Sequence, residues 1–230
     1  MHVVPVTVIL PVRNGAGLIG EALQSVERQS WRPQETIIMD GDSSDDSQAV
    51  ARSYKNTLFF KHPEASAAER RNKAVALASN PYIAFLDADD LWPEQRVEHQ
   101  LKRLLANEEL EIVTGKMQQF RVGPSREIIL QGGPVASQLP TVALMRRTAF
   151  WRVGAFSSQW KVGHFVEWCT RAIEAGLKRE AIPDTVLLRR LHENNLGRTV
   201  EDPMRSYLDM VHHVLQRRRA TGFNQAARNP

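Results

Sequence analysis

Short apolar runs alternate with amphipathic stretches through the first half of the chain. Four of these runs have the length of buried strands, at residues 6–11, 35–39, 57–61 and 82–86. The stretches between them repeat apolar residues at helical spacing, as in Leu18, Ile19, Ala22, Leu23 and Val26. A β-α-β-α-β-α-β order of this kind predicts an α/β fold whose parallel sheet carries helices on both faces.

The pattern changes after residue 107, where shorter and more varied segments follow. Residues 111–122 and 126–130 flank Gly123 and Pro124 and predict a β-ribbon, with further strands at 141–145 and 186–192. An apolar stripe before Gly176 predicts a helix that ends there. We therefore expect one domain over residues 1–230. It comprises a first half (1–107), a second half with a smaller mixed β region (108–200), and a terminal helix and tail (201–230).

The predicted terminal helix begins with a favourable pair of residues. Asp202 is a good N-cap, and Pro203 suits the first helical position. Its apolar residues at helical spacing are Met204, Tyr207, Leu208, Val211 and Leu215. We expect this face to pack on the domain rather than on a membrane or a partner.

Acidic residues follow two of the predicted strands. The run 82–86 ends in Asp87, Asp89 and Asp90, and the run 35–39 ends in a polar segment that starts at Asp40. Carboxylates gathered at the rim of a sheet are costly unless a cation lies near them, and hard divalent cations prefer carboxylate oxygens. Acids that only favour a helix N-terminus are the alternative. Loops 11–15, 40–46 and 87–90 should all meet at the carboxyl edge of the parallel strands, where ligands of such sheets bind.

Composition and missing motifs exclude several classes of protein. The chain of 230 residues is 42% hydrophobic and 24% charged, as in ordinary globular domains, and has no apolar run long enough for a membrane span. Its single cysteine, Cys169, excludes an internal disulfide framework. No Gly-x-Gly-x-x-Gly follows the first strand and no Gly-x-x-x-x-Gly-Lys occurs, which argues against dinucleotide oxidoreductases and P-loop enzymes.

Charge and the N-terminus bear on partners and location. The net charge of +4 is mild, and no basic patch is interleaved with aromatic residues, so we expect no nucleic-acid partner. The basic residues Arg217, Arg218 and Arg219 leave peripheral contact with anionic lipid open. The N-terminus lacks a basic leader, which predicts a cytoplasmic protein.

Four sequence blocks together resemble family 2 glycosyltransferases of the GT-A fold. The blocks are Val8-Ile9-Leu10-Pro11-Val12-Arg13-Asn14, Asp40 with Ser43-Ser44-Asp45, Arg70-Arg71-Asn72, and Phe85-Leu86-Asp87-Ala88-Asp89-Asp90. They occur in the family's order and spacing, and weaker matches extend the resemblance over residues 5–196.

The resemblance implies an inverting transfer of a sugar from a nucleotide-diphosphate donor, most often a UDP-sugar, with Mn²⁺ or Mg²⁺ as cofactor. Carried over by position, Pro11 and Arg13 would line the base, and Asp40 would hydrogen-bond the base or the ribose. Arg71 would lie near the nucleotide. Asp87, with Ala88, would lie near the ribose. Asp89 would hold the metal, and His192 would bind the metal or the diphosphate. The acceptor and the oligomeric state stay open.

Two departures from the family's pattern concern donor contacts and the catalytic base. The family's Asp-Asp-Gly-Ser is Asp-Gly-Asp-Ser here, so it is open whether Asp42 replaces the lost contact. The family's Glu-Asp pair falls on His164 and Phe165. Glu167 is then the candidate base, against a simple ion pair with Arg171 four residues on. His164 is the second candidate, because a neutral imidazole can accept a proton.

Two other classes of function remain as alternatives. A protein that keeps the fold but lacks a base would bind nucleotide sugars without catalysing transfer, or act as a scaffold. A nucleotidyltransferase on a related α/β fold is disfavoured, because no Gly-rich loop bearing Lys or Arg follows the first strand.

Overall fold

The computed structural model describes residues 2–160, 163–192 and 203–220. Strands and helices alternate through the first half. They are β1 (His2–Val12), α1 (Ile19–Glu27), β2 (Trp31–Asp40), α2 (Ser47–Arg52), β3 (Thr57–Lys61), α3 (Ala67–Leu77), β4 (Tyr82–Phe85) and α4 (Arg96–Ala106). The alternation predicted from the apolar runs is confirmed.

Within the described residues, the second half adds four strands and three helices. They are β5 (Ile112–Val122), β6 (Ile128–Ala136), β7 (Ala143–Arg146), α5 (Arg147–Val153), α6 (His164–Glu174), β8 (Arg179–Arg190) and α7 (Pro203–Ala220), with a 3₁₀ turn (Pro140–Val142) before β7. Strands β6 and β8 are both longer than the sequence predicted. β6 continues through Gly132, Gly133 and Pro134 because Gly132 takes a positive φ of 63° beside an irregularity in the pairing with β5.

One mixed sheet runs through both halves in the order β3-β2-β1-β4-β7-β5-β6, with β8 paired to β5. The first four strands are parallel, as predicted, and β7 is antiparallel to both β4 and β5. Val12 pairs with Asp40, so β1 and β2 end level, and the Leu86 N–H extends β4 by donating to the Ile9 carbonyl at 3.0 Å. The loops after β1, β2 and β4 therefore share one edge.

Each face of the sheet carries its own apolar core. On one face, Leu23 of α1 and Leu101 of α4 pack with Leu10 and Leu144 from the strands. On the other, α3, α5 and α6 cover the sheet, and the rings of Phe150, Phe156, Phe165 and Trp168 pack together with centroids about 5–6 Å apart. This aromatic cluster fixes the start of α6 close to the ligand-binding edge.

Helix α7 is rotated relative to the prediction. The residues expected to pack on the domain are exposed, with Met204 at 69% and Leu208 at 62%, so that prediction is wrong. Met210 and Val214 face inward instead and pack with Trp160. The predicted N-cap, Asp202, lies outside the described residues.

Among the residues that the structure describes, no helix is both long enough and apolar enough to cross a membrane. The cytoplasmic location remains a prediction.

Candidate active site

The loops after β1 and β2 are joined by hydrogen bonds between backbone and side chains. Asn14 N–H donates to Ser43 Oγ at 2.9 Å, and Ser44 N–H donates to Asn14 Oδ1 at 2.9 Å. Two residues after Asn14, the Ala16 N–H donates to Asp45 Oδ2 at 2.9 Å. The Ser47 hydroxyl is the main cause of the lowered pKa of Asp45. Asp45 therefore joins the two loops, and the ligand-binding edge is preorganised by short polar side chains.

Asp40 lies at the base of this edge and is nearly fully buried. Its carboxylate accepts hydrogen bonds from the backbone N–H of Ser43, at 3.0 Å, and from the Ser43 hydroxyl. Of the other residues predicted to contact the base, Pro11 is buried within β1 and Arg13 is exposed just after it.

The exchange of Gly41 and Asp42 has a structural explanation. A Cβ atom at Gly41 would lie 2.4 Å from Nη1 of Arg70, so the missing side chain leaves space for that guanidinium. Asp42 takes a left-handed φ of 67°, a conformation that glycine adopts more readily. Its side chain points toward Lys61, 3.8 Å away, and is largely exposed. The predicted donor contact of Asp42 stays untested, whereas Arg70 is brought to the site without having been selected from the sequence.

Helix α3 delivers two arginines to the same edge. Ser66 and Glu69 form a reciprocal capping box that fixes the first turn, on which Arg70 and Arg71 lie. Burial lowers the pKa of Arg70, and the neighbouring charges of Arg71 and Arg13 lower it further. Two guanidinium groups at one helix start are favourable where anionic groups approach them.

Arg71 connects the Asp-x-Asp loop to helix α6. Its guanidinium donates to the carboxylate of Asp87 and lies 3.4 Å from Nε2 of His164. His164 is 9% exposed, and this burial, with the charge of Arg71, lowers its pKa to about 3. The imidazole is therefore neutral at physiological pH.

The second acid of the loop lies beside a histidine from β8. Nε2 of His192 is 2.8 Å from Oδ2 of Asp89, so the two predicted metal ligands are brought together. Arg190, two residues earlier, donates from Nε to the Asp89 carbonyl at 2.9 Å and from Nη2 to Glu21 at 2.5 Å. The end of β8 is thereby fixed against the acidic loop.

Three carboxylates form a compact cluster at this point. One oxygen of each of Asp87, Asp89 and Asp90 lies within 4.8 Å of the others. Asp90 is buried and accepts the backbone N–H of Arg190 at 3.0 Å. Burial raises its pKa, and the charges of Asp89 and Asp87 raise it further. Oxygen ligands with an adjacent imidazole fit a divalent ion such as Mn²⁺ or Mg²⁺.

Unpaired nitrogen atoms in the same region also fit a polar ligand. Among the described residues, the buried Nε atoms of Arg70 and Arg71 and Nδ1 of His164 have no hydrogen-bond partner. Buried polar atoms without partners are uncommon in native structures. Gly15 brings the loop after β1 against the acidic loop, because a Cβ there would lie 3.6 Å from that of Ala88.

Glu167 lies apart from these contacts. Its carboxylate is 3% exposed and is bound by two guanidinium groups. Arg171 donates from Nε at 3.0 Å and from Nη2 at 3.0 Å, and Arg217 of α7 donates at 2.7 Å. The ion pair with Arg171 is present, but it is buried rather than exposed. Glu167 thus holds α7 on α6, and no described contact joins it to Asp87 or Asp89.

The structure brings together Arg71, Asp87, Asp89, His164 and His192 from the predicted set. The sequence placed Arg70 and Asp90 within these motifs but gave individual roles only to their neighbours Arg71, Asp87 and Asp89, and it missed Arg190. Asp90 follows Asp89 directly, so adjacency was the available signal. Nothing in the sequence distinguishes Arg190 from Arg189.

These features define an α/β domain of the GT-A fold, with acids and arginines at its ligand-binding edge. The chain belongs to glycosyl transferase family 2, whose family model matches residues 7–154. It is 32% identical over 105 residues to the Escherichia coli protein named UDP-Glc:alpha-D-GlcNAc-diphosphoundecaprenol beta-1,3-glucosyltransferase WfgD, a match that spans 44% of this chain and 42% of that protein. The chain thus covers less than half the length of this curated relative.

Solved structures support the fold. S. aureus TarS 1–349 in complex with UDP-GlcNAc superimposes with a TM-score of 0.75 at 14% identity, covering 92% of this chain and 65% of that one. The complex of TarS 1–349 with UDP gives a TM-score of 0.67 at 16% identity, covering 83% and 61%. The predicted GT-A fold is therefore confirmed.

Proposed function

We propose that the protein transfers a sugar from a uridine-diphosphate donor to an acceptor hydroxyl, with inversion and with Mn²⁺ or Mg²⁺. The observation that carries the proposal is the convergence of Asp87, Asp89 and His192 at the ligand-binding edge. Two comparisons support the donor class, since WfgD is named for UDP-Glc and TarS was crystallised with UDP-GlcNAc.

The donor would lie across the loops after β1, β2 and β4. Arg13 and Asp40 would contact the base, and Arg70 and Arg71 would face the anionic part of the donor. The ion pair between Arg71 and Asp87 orients both groups before the donor arrives, so little side-chain entropy remains to be lost on binding.

Asp89 and His192 would hold the metal, with Asp87 close enough to contribute an oxygen. When bound, a divalent ion stabilises the charge that grows on the departing diphosphate, a contribution of several kcal/mol by order of magnitude. The chain's own part is to fix these ligands, and Arg190 does so by holding both the Asp89 carbonyl and the end of β8.

Inversion requires a group that takes the acceptor's proton on the face opposite the leaving group. We propose His164 for this role rather than Glu167. His164 contacts Arg71, which binds Asp87, whereas Glu167 is enclosed by Arg171 and Arg217. The low pKa of His164 keeps the imidazole neutral, and it also makes His164 a weak base.

This weakness favours a second candidate function, a donor-binding protein without transferase activity. The two residues that could accept a proton are both buried, at 9% for His164 and 3% for Glu167. Transfer to any acceptor in a screen, or metal-dependent hydrolysis of the donor that His164→Gln reduces, would exclude it.

The test of the main proposal is calorimetric titration of UDP-GlcNAc and UDP-Glc with and without Mn²⁺. Asp89→Asn should weaken metal-dependent donor binding by about a hundredfold or more, because the ion loses a charged ligand. Asp46→Asn is the matched control, since Asp46 is exposed and makes no side-chain cap hydrogen bond. Equal affinities for Asp89→Asn and the unaltered protein would refute the metal site.

A further inference from the structure

A separate cavity lies between α6 and the first residues of β5 and β8. Its volume is about 290 Å³. None of the residues predicted to bind the donor, to hold the metal or to act as the base lines it. Phe165, which does line it, directly follows His164 at the start of α6. A ligand in this cavity would therefore be additional to the donor and the metal.

The inner walls of this α6 cavity are apolar. Phe165, Cys169 and Ala172 are spaced four and three residues apart, so they share one face of α6, and Ile112 of β5 lines the cavity from the sheet. Burial raises the pKa of the Cys169 thiol to about 12, so the thiol stays protonated and uncharged at physiological pH. These walls suit a hydrocarbon group.

The cavity also carries one positive charge that the sheet leaves without a counter-charge. Arg179 of β8 pairs with Ile112 of β5, and paired residues point to the same face of a sheet, here the face that α6 covers. Glu180, the next residue, points to the opposite face, where it forms an ion pair with Arg103 of α4 at 3.2 Å. In the part of the chain that the structure describes, the guanidinium of Arg179 makes no ion pair or hydrogen bond.

Two further polar side chains line the cavity from the segment after β6. Neither the hydroxyl of Ser137 nor the amide of Gln138 has a hydrogen-bond partner among the described residues. Together with Arg179 they offer three groups that can donate hydrogen bonds around an apolar interior. Apolar cavities with a few convergent polar groups are typical of small-molecule sites, and this volume is at the small end of their range.

We propose that the α6 cavity is a second ligand site, which binds a small apolar carboxylate. The hydrocarbon group would lie against Phe165, Cys169 and Ala172, and the carboxylate would accept hydrogen bonds from Arg179. A planar guanidinium matches the two oxygens of a carboxylate, and a single cation offsets its single negative charge. The proposal does not rest on the transferase function, because it uses no residue of the candidate active site.

Binding can be measured by titrating the protein with 3-phenylpropanoate and following its backbone amide signals by NMR. We expect saturable shifts at residues 112–114 and 179–181. Two fragments of the probe serve as separate arms. The uncharged 3-phenylpropan-1-ol should bind about tenfold more weakly, because it makes no charge-assisted hydrogen bond. Acetate should bind at least about tenfold more weakly, because it has no apolar group to bury.

A matched pair of variants tests the charge. Arg179→Gln should weaken binding of 3-phenylpropanoate about tenfold, through the loss of its guanidinium. Lys178→Gln removes the neighbouring exposed cation, which does not line the cavity, and should leave the affinity unchanged. Cys169 is the only cysteine of the chain, so its alkylation by N-ethylmaleimide reports on this cavity alone. Saturating 3-phenylpropanoate should slow that alkylation in the unaltered protein.

Three results would overturn the proposal. Equal affinities of Arg179→Gln and Lys178→Gln would show that Arg179 does not bind the carboxylate. An alcohol that binds as tightly as the acid would exclude a site for anions. Alkylation of Cys169 at the same rate with and without 3-phenylpropanoate would place any binding outside this cavity.

Discussion

The two halves of the domain hold their functional side chains in opposite ways. In the first half, Asn14, Ser43 and Asp45 hold exposed loops together, and Asp87 and Asp89 at the sheet edge stay partly accessible to a ligand. In the second half, the two residues that could act as a base, His164 and Glu167, are buried and contact arginines. The proposed donor site is thus formed by exposed loops, whereas the candidate residues for proton transfer are buried.

This contrast indicates that the two activities can be separated experimentally. Changes in the second half should alter stability, acid sensitivity or transfer while donor affinity is kept. Changes to Asp87 or Asp89 at the sheet edge should alter donor affinity and leave stability largely unchanged. The three predictions below test that separation, and they are ordered from the largest expected effect to the smallest.

The largest effect concerns the acid stability of the buried imidazole. His164 has a pKa of about 3 in the folded state and about 6.5 when unfolded, so the unfolded chain binds more protons between these values. Stability should therefore fall as pH is lowered from 6.5 towards 3. His164 contributes about 1.4 kcal/mol per pH unit, with an upper limit of about 5 kcal/mol. His164→Gln should lose less stability over this range in urea unfolding at successive pH values.

His2→Gln is the matched control, because it removes an exposed histidine instead of a buried one. If the curves for His164→Gln and the unaltered protein stay parallel, His164 is solvated and charged at low pH. The second half would then not bury its candidate base, and the contrast between the two halves would be wrong for His164.

The next effect concerns the double ion pair of Glu167. Glu167→Gln removes the carboxylate that pairs with Arg171 and one of the two that pair with Arg217, and it should destabilise the protein by about 3 kcal/mol. Glu174→Gln, whose carboxylate pairs with Arg217 and Arg218 and is more exposed, should cost about 1 kcal/mol or less. Chemical denaturation measures both, and donor affinity should be unchanged in each. A Glu167→Gln protein that is fully stable yet inactive in transfer would make Glu167 the base.

The smallest effect lies in the first half. Asp42→Gly should stabilise the protein by about 0.5–1 kcal/mol, because the left-handed φ of 67° no longer carries a Cβ atom. Asn56→Gly, with a φ of 58° before β3, should give a similar gain in thermal unfolding. Neither change should alter donor affinity, since Asp42 points toward Lys61. A tenfold loss of UDP-GlcNAc affinity in Asp42→Gly alone would restore the predicted donor contact of this carboxylate.

The sequence was sufficient for the parallel sheet and the ligand-binding edge, for identifiable reasons. A buried strand that runs directly into Asp87 and Asp89 must place both acids at the edge of the sheet. The carboxyl ends of parallel strands lie at one edge, so the loops that follow them meet there. The fold depends on these local patterns, so they could be read without the structure. The resemblance to the GT-A fold rested on the same blocks, and the superposition on TarS confirmed it.

What the sequence did not reveal depends on contacts between distant residues. Glu167 accepts a hydrogen bond from Arg217, which lies fifty positions further along the chain. Both Leu208 and Met210 are apolar, so periodicity alone could not tell which stripe of α7 faces inward. The predicted strand stopped at residue 130, whereas β6 continues to Ala136, with a positive φ at Gly132.

The ion pair between Arg217 and Glu167 also bears on how the domain forms during translation. Helix α6 leaves the ribosome well before α7, so the nascent chain holds Glu167 with Arg171 alone for some time. The apolar surface that Met210 and Val214 later cover is exposed during that interval, and chaperones bind such surfaces. Shortened versions that stop before residue 203 would keep this unfinished state permanently, so expression trials should retain the chain through Ala220.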